Sequence, residues 1–361
     1  MVRLSRVATQ ERNRDKVLEA ARREFAERGF RDAKIDVIAE QAELTRGAVY
    51  SNFPGKRALY FAVLADLAER APVPPNAQPG RTARDALTAF ARLWVTQLPL
   101  ATDQQYDSAR LAMDLLPEIL ADERLREPFA QLMKLDAILL GLALEHLQPA
   151  KRLVRTAETA LTTLHGATQL GAAAPGFVEP FNVVSACEQL LDLDLGDVWT
   201  GAPIVPPTRP ADNPWQPPSA VDVVHAGPAR LDGDGVVAIL GLHRLSAAEE
   251  AVRAAPPDAQ VTAVLVTGEP TELAPLARLV VADVTGRLRQ AFPPAAWPSL
   301  QVVHDDTGRL AAAAGVTAVS DATETAVRVA GGRIVLRAEG FGACHAVAAH
   351  RPASVKTPPP G

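Results

Sequence analysis

The sequence predicts a multidomain protein, with an all-α N-terminal part followed by an α/β C-terminal part. Up to about residue 193 apolar residues recur at helical spacing, as in RTARDALTAFARLWVTQL. A Pro-rich stretch at 201–219 interrupts this pattern. Beyond it, apolar runs such as GVVAILGL (235–242) and VTAVLVT (261–267) have the length and β-branching of buried strands, and they alternate with helical segments. A chain of 361 residues has room for two or three domains.

The segment IDVIAEQAELTRGAVYSNFPGKRALY, at 35–60, predicts two short helices joined by a tight corner, then a third helix from Pro54. Thr45 is placed to cap the second helix. A short exposed helix that begins with small polar groups and an arginine suits reading of the DNA major groove. Spacing alone leaves open a surface helix pair of an ordinary all-α domain. The residues predicted to point outward or lie close by are Thr45, Arg46, Gly47, Tyr50, Ser51 and Lys56.

Residues 12–64 resemble the DNA-binding domain of the TetR family of bacterial repressors. The family pattern is present as AARREFAERGF, VIAEQAEL and TRGAVYSNFPGK. The resemblance implies base contacts from the start of the second helix and phosphate contacts around it. The residues that it places at DNA are Lys34, Thr45, Arg46, Gly47, Ala48, Tyr50, Ser51 and Lys56.

Two positions depart from the family pattern. Glu43 stands at the corner where the family usually has Gly. If the corner needs a positive φ, a residue other than Gly costs about 1–2 kcal/mol there. Lys34 stands where the family usually has a Thr, and its ammonium can still reach a phosphate.

Charge distribution fits a DNA-binding end on an acidic body. The net charge is −5, which by itself argues against a nucleic-acid partner. Residues 1–30, however, hold eight Arg or Lys residues against five acids. A solvated helix face would give the same excess.

Cysteine use and hydropathy predict a soluble cytoplasmic protein. Cys187 and Cys344 provide neither a disulfide framework nor zinc-finger spacing, so we expect no metal and no cofactor. The N-terminus lacks the apolar core of a signal peptide, and no apolar run is long enough to span a bilayer.

The helical part after the first 56 residues matches the ligand-binding and dimerisation half of the TetR family. We expect residues 153–172 and 181–191 to pair with a second copy in a four-helix seam. The small residues that would allow close approach are Ala157, Ala160, Gly166 and Ala167. Packing within one chain is the alternative.

Polar, aromatic and sulfur-containing side chains that interrupt apolar faces are candidates for a small-molecule pocket. They are Trp94, Tyr106, Arg110, Met113, Asp114, His146 and His165. For each alone, a satisfied position in the core or at its rim is the alternative. The resemblance transfers no particular ligand.

The C-terminal part predicts the order β-α-β-α-β-α-β-β-α, with Gly331-Gly332 in the turn of a hairpin. VVHDDTGRLAAAAGV and the hairpin resemble the second half of a thioredoxin or peroxiredoxin domain. The reactive thiol of that family belongs at the start of a helix, but GLHRLSAAEE contains no Cys. The family's cis-Pro is missing from GVTAVSDATETA, and Cys344 reads as a packed thiol.

We therefore expect a helix-turn-helix domain (1–56), a helical ligand-binding and dimerisation domain (57–200), a Pro-rich linker (201–219), a thioredoxin-like domain without redox activity (220–350) and a disordered tail (351–361). The linker should isolate the last domain and make it dispensable for DNA binding. The function predicted is that of a transcriptional repressor, not an enzyme. It would bind a palindromic operator in double-stranded DNA as a homodimer and be released by a small molecule. The alternative is a thioredoxin-like oxidoreductase or redox sensor with an attached DNA-binding domain.

Overall fold

The computed structural model describes residues 6–71, 78–98, 111–257 and 259–351. The α-helices of the N-terminal part are, in chain order, α1 (Arg6–Asp32), α2 (Ile35–Gln41), α3 (Arg46–Asn52), α4 (Lys56–Glu69), α5 (Ala83–Val95), α6 (Leu115–Ala121), α7 (Glu123–Leu147), α8 (Val154–Ala173) and α9 (Pro180–Gln189). Those of the C-terminal part are α10 (Ala247–Ala254), α11 (Leu273–Ala291), α12 (Arg309–Ala313) and α13 (Ala343–Ala349). The strands are β1 (Arg209–Pro214), β2 (Val221–Asp222), β3 (Gly227–Pro228), β4 (Gly235–Gly241), β5 (Gln260–Val266), β6 (Leu300–His304), β7 (Glu324–Ala330) and β8 (Arg333–Glu339).

Helices α1, α2 and α3 share a small apolar core, to which Phe25, Ile38 and Val49 each contribute a buried side chain. Gly29 has φ 74° and ψ 173°, so α1 kinks at this residue, and helical bonding continues to Asp32. Phe30 then stacks on Phe25, with 6.1 Å between the ring centroids. These contacts fix the position of the short helices that follow.

Helix α4 is buried along most of its length, and every residue from 58 to 65 is shielded from solvent. A helix buried on all sides needs neighbours on all sides. On one side it packs against α1, and on another against α11 of the C-terminal part. Helix α4, which follows the helix-turn-helix, is therefore packed between α1 and α11.

The C-terminal part is built on a six-stranded mixed sheet in the order β1-β8-β7-β4-β5-β6. Strands β4, β5 and β6 are parallel, while β7, β8 and β1 are antiparallel to their neighbours. The predicted order of strands and helices is observed. Gly331 and Gly332 have φ of 56° and 70°, as the predicted two-residue hairpin turn requires.

The two faces of the sheet are covered differently. Val237 and Ile239 belong to a core that includes Leu310 of α12. Val236 and Leu240 point to the other face and belong to a second core, which continues without interruption into the helical N-terminal part. One face of the sheet is therefore part of a core that both halves of the chain build.

The Pro-rich stretch at 201–219 is not a simple linker. Its residues Arg209–Pro214 form β1, which pairs antiparallel with β8 at the edge of the sheet. Proline is tolerated there because an edge strand has an unpaired side. Trp215 is 6% exposed, and its indole Nε1 donates to the Leu231 carbonyl oxygen at 2.7 Å. The expectation that this stretch merely connects two domains was wrong.

The expectation that the C-terminal part is isolated was wrong as well. Helix α11 packs against α4, α5 and α7, and its Leu276, Val280 and Val284 are buried. Polar contacts join the two parts: the Ser246 backbone N–H donates to Gln131 Oε1 at 2.9 Å. The Arg253 guanidinium pairs with Glu145, with 2.7 Å from Nη2 to Oε1. The two halves thus share a large packed boundary.

The small residues predicted to form a dimer seam lie mostly inside the chain. Ala157 and Ala160 are fully buried and Ala167 is 7% exposed, so these side chains pack within the subunit. Gly166 is exposed, and a Cβ added to it would meet nothing within 4 Å. Of the four predicted residues, Gly166 alone remains available to a second copy.

Candidate nucleic-acid interface

Helix α3 begins as the sequence predicts. Thr45 has extended backbone geometry, and its Oγ1 accepts the Ala48 backbone N–H at 3.2 Å. Val49 and Phe53 are buried against the neighbouring helices and hold one side of α3 in place. The opposite side, which includes the first turn, is left to solvent.

The exposed side of α3 presents an arginine and a phenol together. Arg46 and Tyr50 are exposed, and the Arg46 guanidinium lies 5.5 Å from the centroid of the Tyr50 ring. A hydrogen bond to the Tyr50 hydroxyl, and then the charge of Asp36 at 3.2 Å, raises the pKa of Arg46. The arginine is fully charged at physiological pH, and its contacts with Asp36 and Tyr50 lie at the surface.

The remaining predicted residues of α3 differ in their exposure and in the hydrogen-bonding groups that stay free for a partner. Gly47 and Ser51 are exposed, whereas Ala48 is half-buried. The Ser51 hydroxyl donates to the Ala48 carbonyl oxygen at 2.8 Å, so its oxygen lone pairs remain free. The Thr45 hydroxyl accepts the capping hydrogen bond and keeps its own proton to donate.

The two predicted lysines lie outside α3 in the chain. Lys34 is exposed just before α2. Lys56 is half-buried, where its Nζ donates to the Arg31 carbonyl oxygen at 2.8 Å and lies 4.9 Å from the centroid of the Phe30 ring. Burial lowers the pKa of Lys56. An ammonium has three donors, so Lys56 can keep this contact and still meet a phosphate.

The corner before α3 has the strained geometry that the sequence raises as a possibility. Glu43 has φ 57°, in the left-handed region, where a Cβ clashes with the backbone. Its carboxylate pairs with Lys16 at 2.6 Å, and both side chains are exposed. This contact draws the acidic group towards α1.

The helix-turn-helix is tied to the helical body by two hydrogen bonds that sequence reasoning missed. The Phe30 backbone N–H donates to Asp114 Oδ2 at 2.7 Å. The Tyr60 hydroxyl donates to the Leu111 carbonyl oxygen at 2.5 Å. Asp114, a candidate residue of the ligand pocket, therefore accepts a hydrogen bond from the end of α1. The neighbouring Met113 is 38% exposed.

Of the candidate pocket residues, the structure brings Trp94 and His165 together. Their rings meet edge to face, with centroids 4.7 Å apart, and Trp94 Nε1 donates to Thr168 Oγ1 at 3.0 Å. His146 lies elsewhere and is exposed, with its Nδ1 3.3 Å from the Ala296 carbonyl oxygen. Tyr106 and Arg110 lie outside the described residues.

Two further buried polar residues escaped sequence reasoning. Asp136 in α7 is 1% exposed. Arg287 in α11 is 8% exposed, and its guanidinium carbon lies 4.3 Å from the centroid of the Trp94 ring. The sequence contained a signal that Asp136 is buried, because this residue is the only charged one in the apolar run LDAILLGLAL. Arg287 could not be assigned, since the burial of α11 depends on packing between distant parts of the chain.

The thiol of Cys344 is fully buried on α13, as predicted for a packed cysteine. Burial, and then the charge of Glu324, raises the pKa of Cys344 well above its usual range. A buried neutral thiol is a poor nucleophile. Within the described ranges, no cluster of three or more His, Cys, Asp and Glu side chains is arranged to hold a metal ion. None of the helices described here combines the length and apolarity needed to cross a membrane.

Comparisons with known proteins identify the N-terminal segment. Residues 17–63 match the family model of the bacterial regulatory proteins, tetR family. The chain is 45% identical over 58 residues to the HTH-type transcriptional regulator SrpR of Pseudomonas putida, across 16% of this chain and 27% of SrpR. It is 46% identical over 52 residues to the uncharacterized HTH-type transcriptional regulator TtgW, also of Pseudomonas putida, across 14% of this chain and 39% of TtgW.

Segment 17–63 is thus a TetR-family helix-turn-helix domain, and the chain spans well under half the length of these two curated relatives. A crystal structure of a TetR-like transcriptional regulator from Rhodococcus sp. RHA1 aligns with 52% of this chain and 96% of its own, at 20% identity and a TM-score of 0.33.

Proposed function

We propose that this protein is a DNA-binding transcriptional repressor that uses the exposed side of α3 to read an operator. The observation that carries the proposal is the placement of Arg46 and Tyr50 on an exposed, capped helix inside the TetR-family segment. An arginine at the start of such a helix can form two hydrogen bonds with the edge of a guanine. Gly47 beside it adds no side chain that would keep the helix from the bases.

The flanking groups would hold the phosphates. Lys34, just before α2, and Lys56, at the start of α4, provide ammonium donors, while Tyr50 and Ser51 provide hydroxyl groups. Such contacts position a protein on DNA without reading sequence. Loss of a base contact and loss of a phosphate contact therefore have different consequences, and these can be measured separately.

We also propose a homodimer, because a palindromic operator presents two half-sites and one subunit offers one recognition helix. Three large apolar side chains are exposed on α8, on α9 and on the segment between them, and we call them the apolar patch. Leu170 is 48% exposed, Phe177 is 73% exposed and Phe181 is 82% exposed. Exposed large apolar side chains that lie together are typical of a protein interface, and we propose that these three form one. Gly166, one turn before Leu170, leaves room for close approach.

Release by a small molecule requires that the ligand favour one position of the recognition helices over another. Helix α4 provides the mechanical connection, since it begins four residues after the end of α3 and packs against both α1 and α11. A ligand that shifts α5, α7 or α11 would shift α4 as well. The C-terminal part is therefore included in the proposed regulatory mechanism.

The experiment that tests the proposed function is capture of genomic DNA by the full-length protein. Fragments bound at physiological salt should share an inverted repeat, one copy of which lies upstream of the protein's own gene. Recovery of fragments with no shared sequence would contradict specific DNA binding. Recovery of a single unrepeated half-site would support DNA binding and contradict the dimer.

A further inference from the structure

The first turn of α4 carries two positive charges and no acid of its own. Lys56 and Arg57 are the first two residues of this helix, and Gly55 before them has no side chain with which to cap it. Positive charge is unfavourable at the N-terminus of a helix, because the helix dipole is itself positive there. Compensating contacts for the two cations must therefore come from outside α4.

Arg57 has carboxylate partners in two different parts of the chain. Its Nη2 donates to Oδ2 of Asp122, directly before α7, at 2.8 Å. Its Nε donates to Oε1 of Glu272, directly before α11. The side chains of Arg57, Asp122 and Glu272 are 22%, 18% and 19% exposed, so water screens these contacts less than it screens a surface pair. Two hydrogen bonds from one planar guanidinium fix its direction as well as its position.

Lys56 has partners of a different kind. Its Nζ donates to the Arg31 carbonyl oxygen at 2.8 Å and lies 4.9 Å from the centroid of the Phe30 ring. Both partners are uncharged, so the charge of Lys56 can pair with a phosphate. The charge of Arg57 is engaged within the protein instead. The two neighbouring cations thus suit two different tasks.

The first turn of α4 is linked to the recognition helix by short connections. Helix α3 ends at Asn52, four residues before α4 begins, and Phe53 between them is buried. Helix α1, which packs on α3, also packs on α4. A shift of the first turn of α4 would therefore carry α3 and the Lys56 ammonium with it.

We propose that Arg57 is a positioning residue for operator binding, and that its two carboxylate partners orient the helix-turn-helix on the rest of the protein. Because Glu272 belongs to the C-terminal part, that part contributes to operator affinity through this contact. The inference rests on the proposed function, since it concerns how the same DNA-reading surface is held.

Replacement of Glu272 distinguishes positioning from a simple effect of charge. Glu272→Gln removes a negative charge, so charge alone would strengthen DNA binding. Loss of positioning weakens it, and we expect operator affinity to fall about tenfold. Affinity is referred to the active fraction, measured by titration at high DNA concentration, so that unfolded protein is not mistaken for weaker binding. Unchanged or tighter operator binding by Glu272→Gln would overturn the proposal.

Glu269→Gln is the matched control. Glu269 lies three residues before Glu272, and its carboxylate is 3.6 Å from the Arg124 guanidinium. The substitution makes the same change of charge in the same loop while the Arg57 contacts stay in place. Operator affinity should remain within about twofold of the wild type, because the Glu269 pair is largely exposed. A loss as large as that of Glu272→Gln would overturn the specific role of the Arg57 pair.

A double variant tests whether the two residues act through each other. Arg57→Ala alone should also lower operator affinity about tenfold. Arg57→Ala combined with Glu272→Gln should lose little more than either single variant, because each removes the same contact. Additive losses would show that the residues act independently and would overturn the proposal.

A distance measurement without DNA separates this inference from the proposed function. Spin labels on Gln41→Cys and Ala312→Cys, both at exposed positions, report the distance between the helix-turn-helix and the C-terminal part. Cys187 and Cys344 are buried and should stay unlabelled. Dilution with unlabelled chains restricts the signal to pairs within one chain. We expect one narrow distance in the wild type and a broader or shifted one in Glu272→Gln.

The outcomes of the two measurements are distinct. A narrow and unchanged distance in Glu272→Gln would overturn the positioning role, even if DNA binding were weaker. A changed distance in a protein that binds no specific DNA would show that the contact orients the helix-turn-helix and would overturn the proposed function instead. A changed distance together with weaker operator binding supports both.

Discussion

Arg57, in the first turn of α4, forms an ion pair with Glu272 at the start of α11, and its Nη2 also lies 2.8 Å from Asp122 Oδ2. One guanidinium therefore joins the helix that leaves the DNA-binding domain to the helical body and to the C-terminal part. Desolvation opposes the charged form, but the hydrogen bond to Glu272 leads the contacts that raise the pKa of Arg57. This contact is one reason to treat the C-terminal part as integral to the protein.

Removal of the C-terminal part should damage the rest of the protein. A chain that ends at Gly201 loses α11 and exposes the faces of α4, α5 and α7 on which it packs. We expect aggregation or loss of a cooperative thermal transition, because large apolar surfaces become exposed. Light scattering and calorimetry of the truncated and full-length chains provide the measurement. A stable truncated dimer with full DNA affinity would contradict this expectation.

The buried face of α11 should respond to single substitutions. Leu276 is fully buried between the two parts, so Leu276→Ala should lower the free energy of unfolding by about 2–5 kcal/mol. Val221→Ala, on a side chain that is 62% exposed, serves as the control and should change it little. Equal effects of the two substitutions in denaturant titrations would mean that the boundary contributes no stability.

Replacement of Glu43 by glycine should stabilise the corner before α3. Because Glu43 has φ 57°, Glu43→Gly removes left-handed strain and should raise the Tm by a few degrees. Glu43→Ala is the matched control, since it also loses the Lys16 contact but keeps the strain. The difference between Gly and Ala at this position is the informative quantity. A Tm for Gly at or below that for Ala would show that the corner stores no strain.

His165 should make the protein sensitive to mild acid. Its pKa is about 4 in the folded protein and about 6.5 when unfolded, so the unfolded state binds the extra proton in between. The stability that neutral His165 contributes is present above pH 6.5 and is lost as the pH falls towards 4. Asp136, with a raised pKa, acts in the opposite direction in the same range. His165→Gln should therefore lose less Tm between pH 7 and pH 4.5 than the wild type does.

Dimerisation should depend on the apolar patch formed by Leu170, Phe177 and Phe181. Phe181→Glu places a charge on a side chain that is 82% exposed, so the subunit should fold normally and the dimer should dissociate. Val198→Glu, at a residue that is 68% exposed outside the patch, is the control. Light scattering at micromolar concentration decides between a dimer and a monomer. A dimer that survives Phe181→Glu but not Val198→Glu would place the seam elsewhere.

Local patterns predicted much of the fold because they depend on neighbouring residues. The runs at 235–242 and 261–267 became β4 and β5, and Gly331-Gly332 formed the turn between β7 and β8. The capping role of Thr45 followed from its position before an apolar helix. Each of these features is determined within a few residues of the chain.

Features that depend on distant pairing could not be predicted in this way. Strand β1 forms only because β8, more than a hundred residues later, provides its partner. Ala157 and Ala160 suit a dimer seam and a subunit core equally well, and only the packing within the chain decides. The sequence of α11 indicated burial on several sides, since its apolar residues are spread over more than one face of the helix. It did not show that the packing would also bury Arg287.

The most direct test of operator reading by α3 compares two variants on captured DNA and on random DNA. Arg46→Ala should lose about ten- to hundredfold affinity for the specific site, with relaxed preference at one base pair and little loss on random DNA. Lys56→Ala should weaken binding to both DNAs alike and reduce the salt dependence by roughly one phosphate contact. Equal losses of both variants on specific and random DNA would contradict the claim that α3 reads the operator.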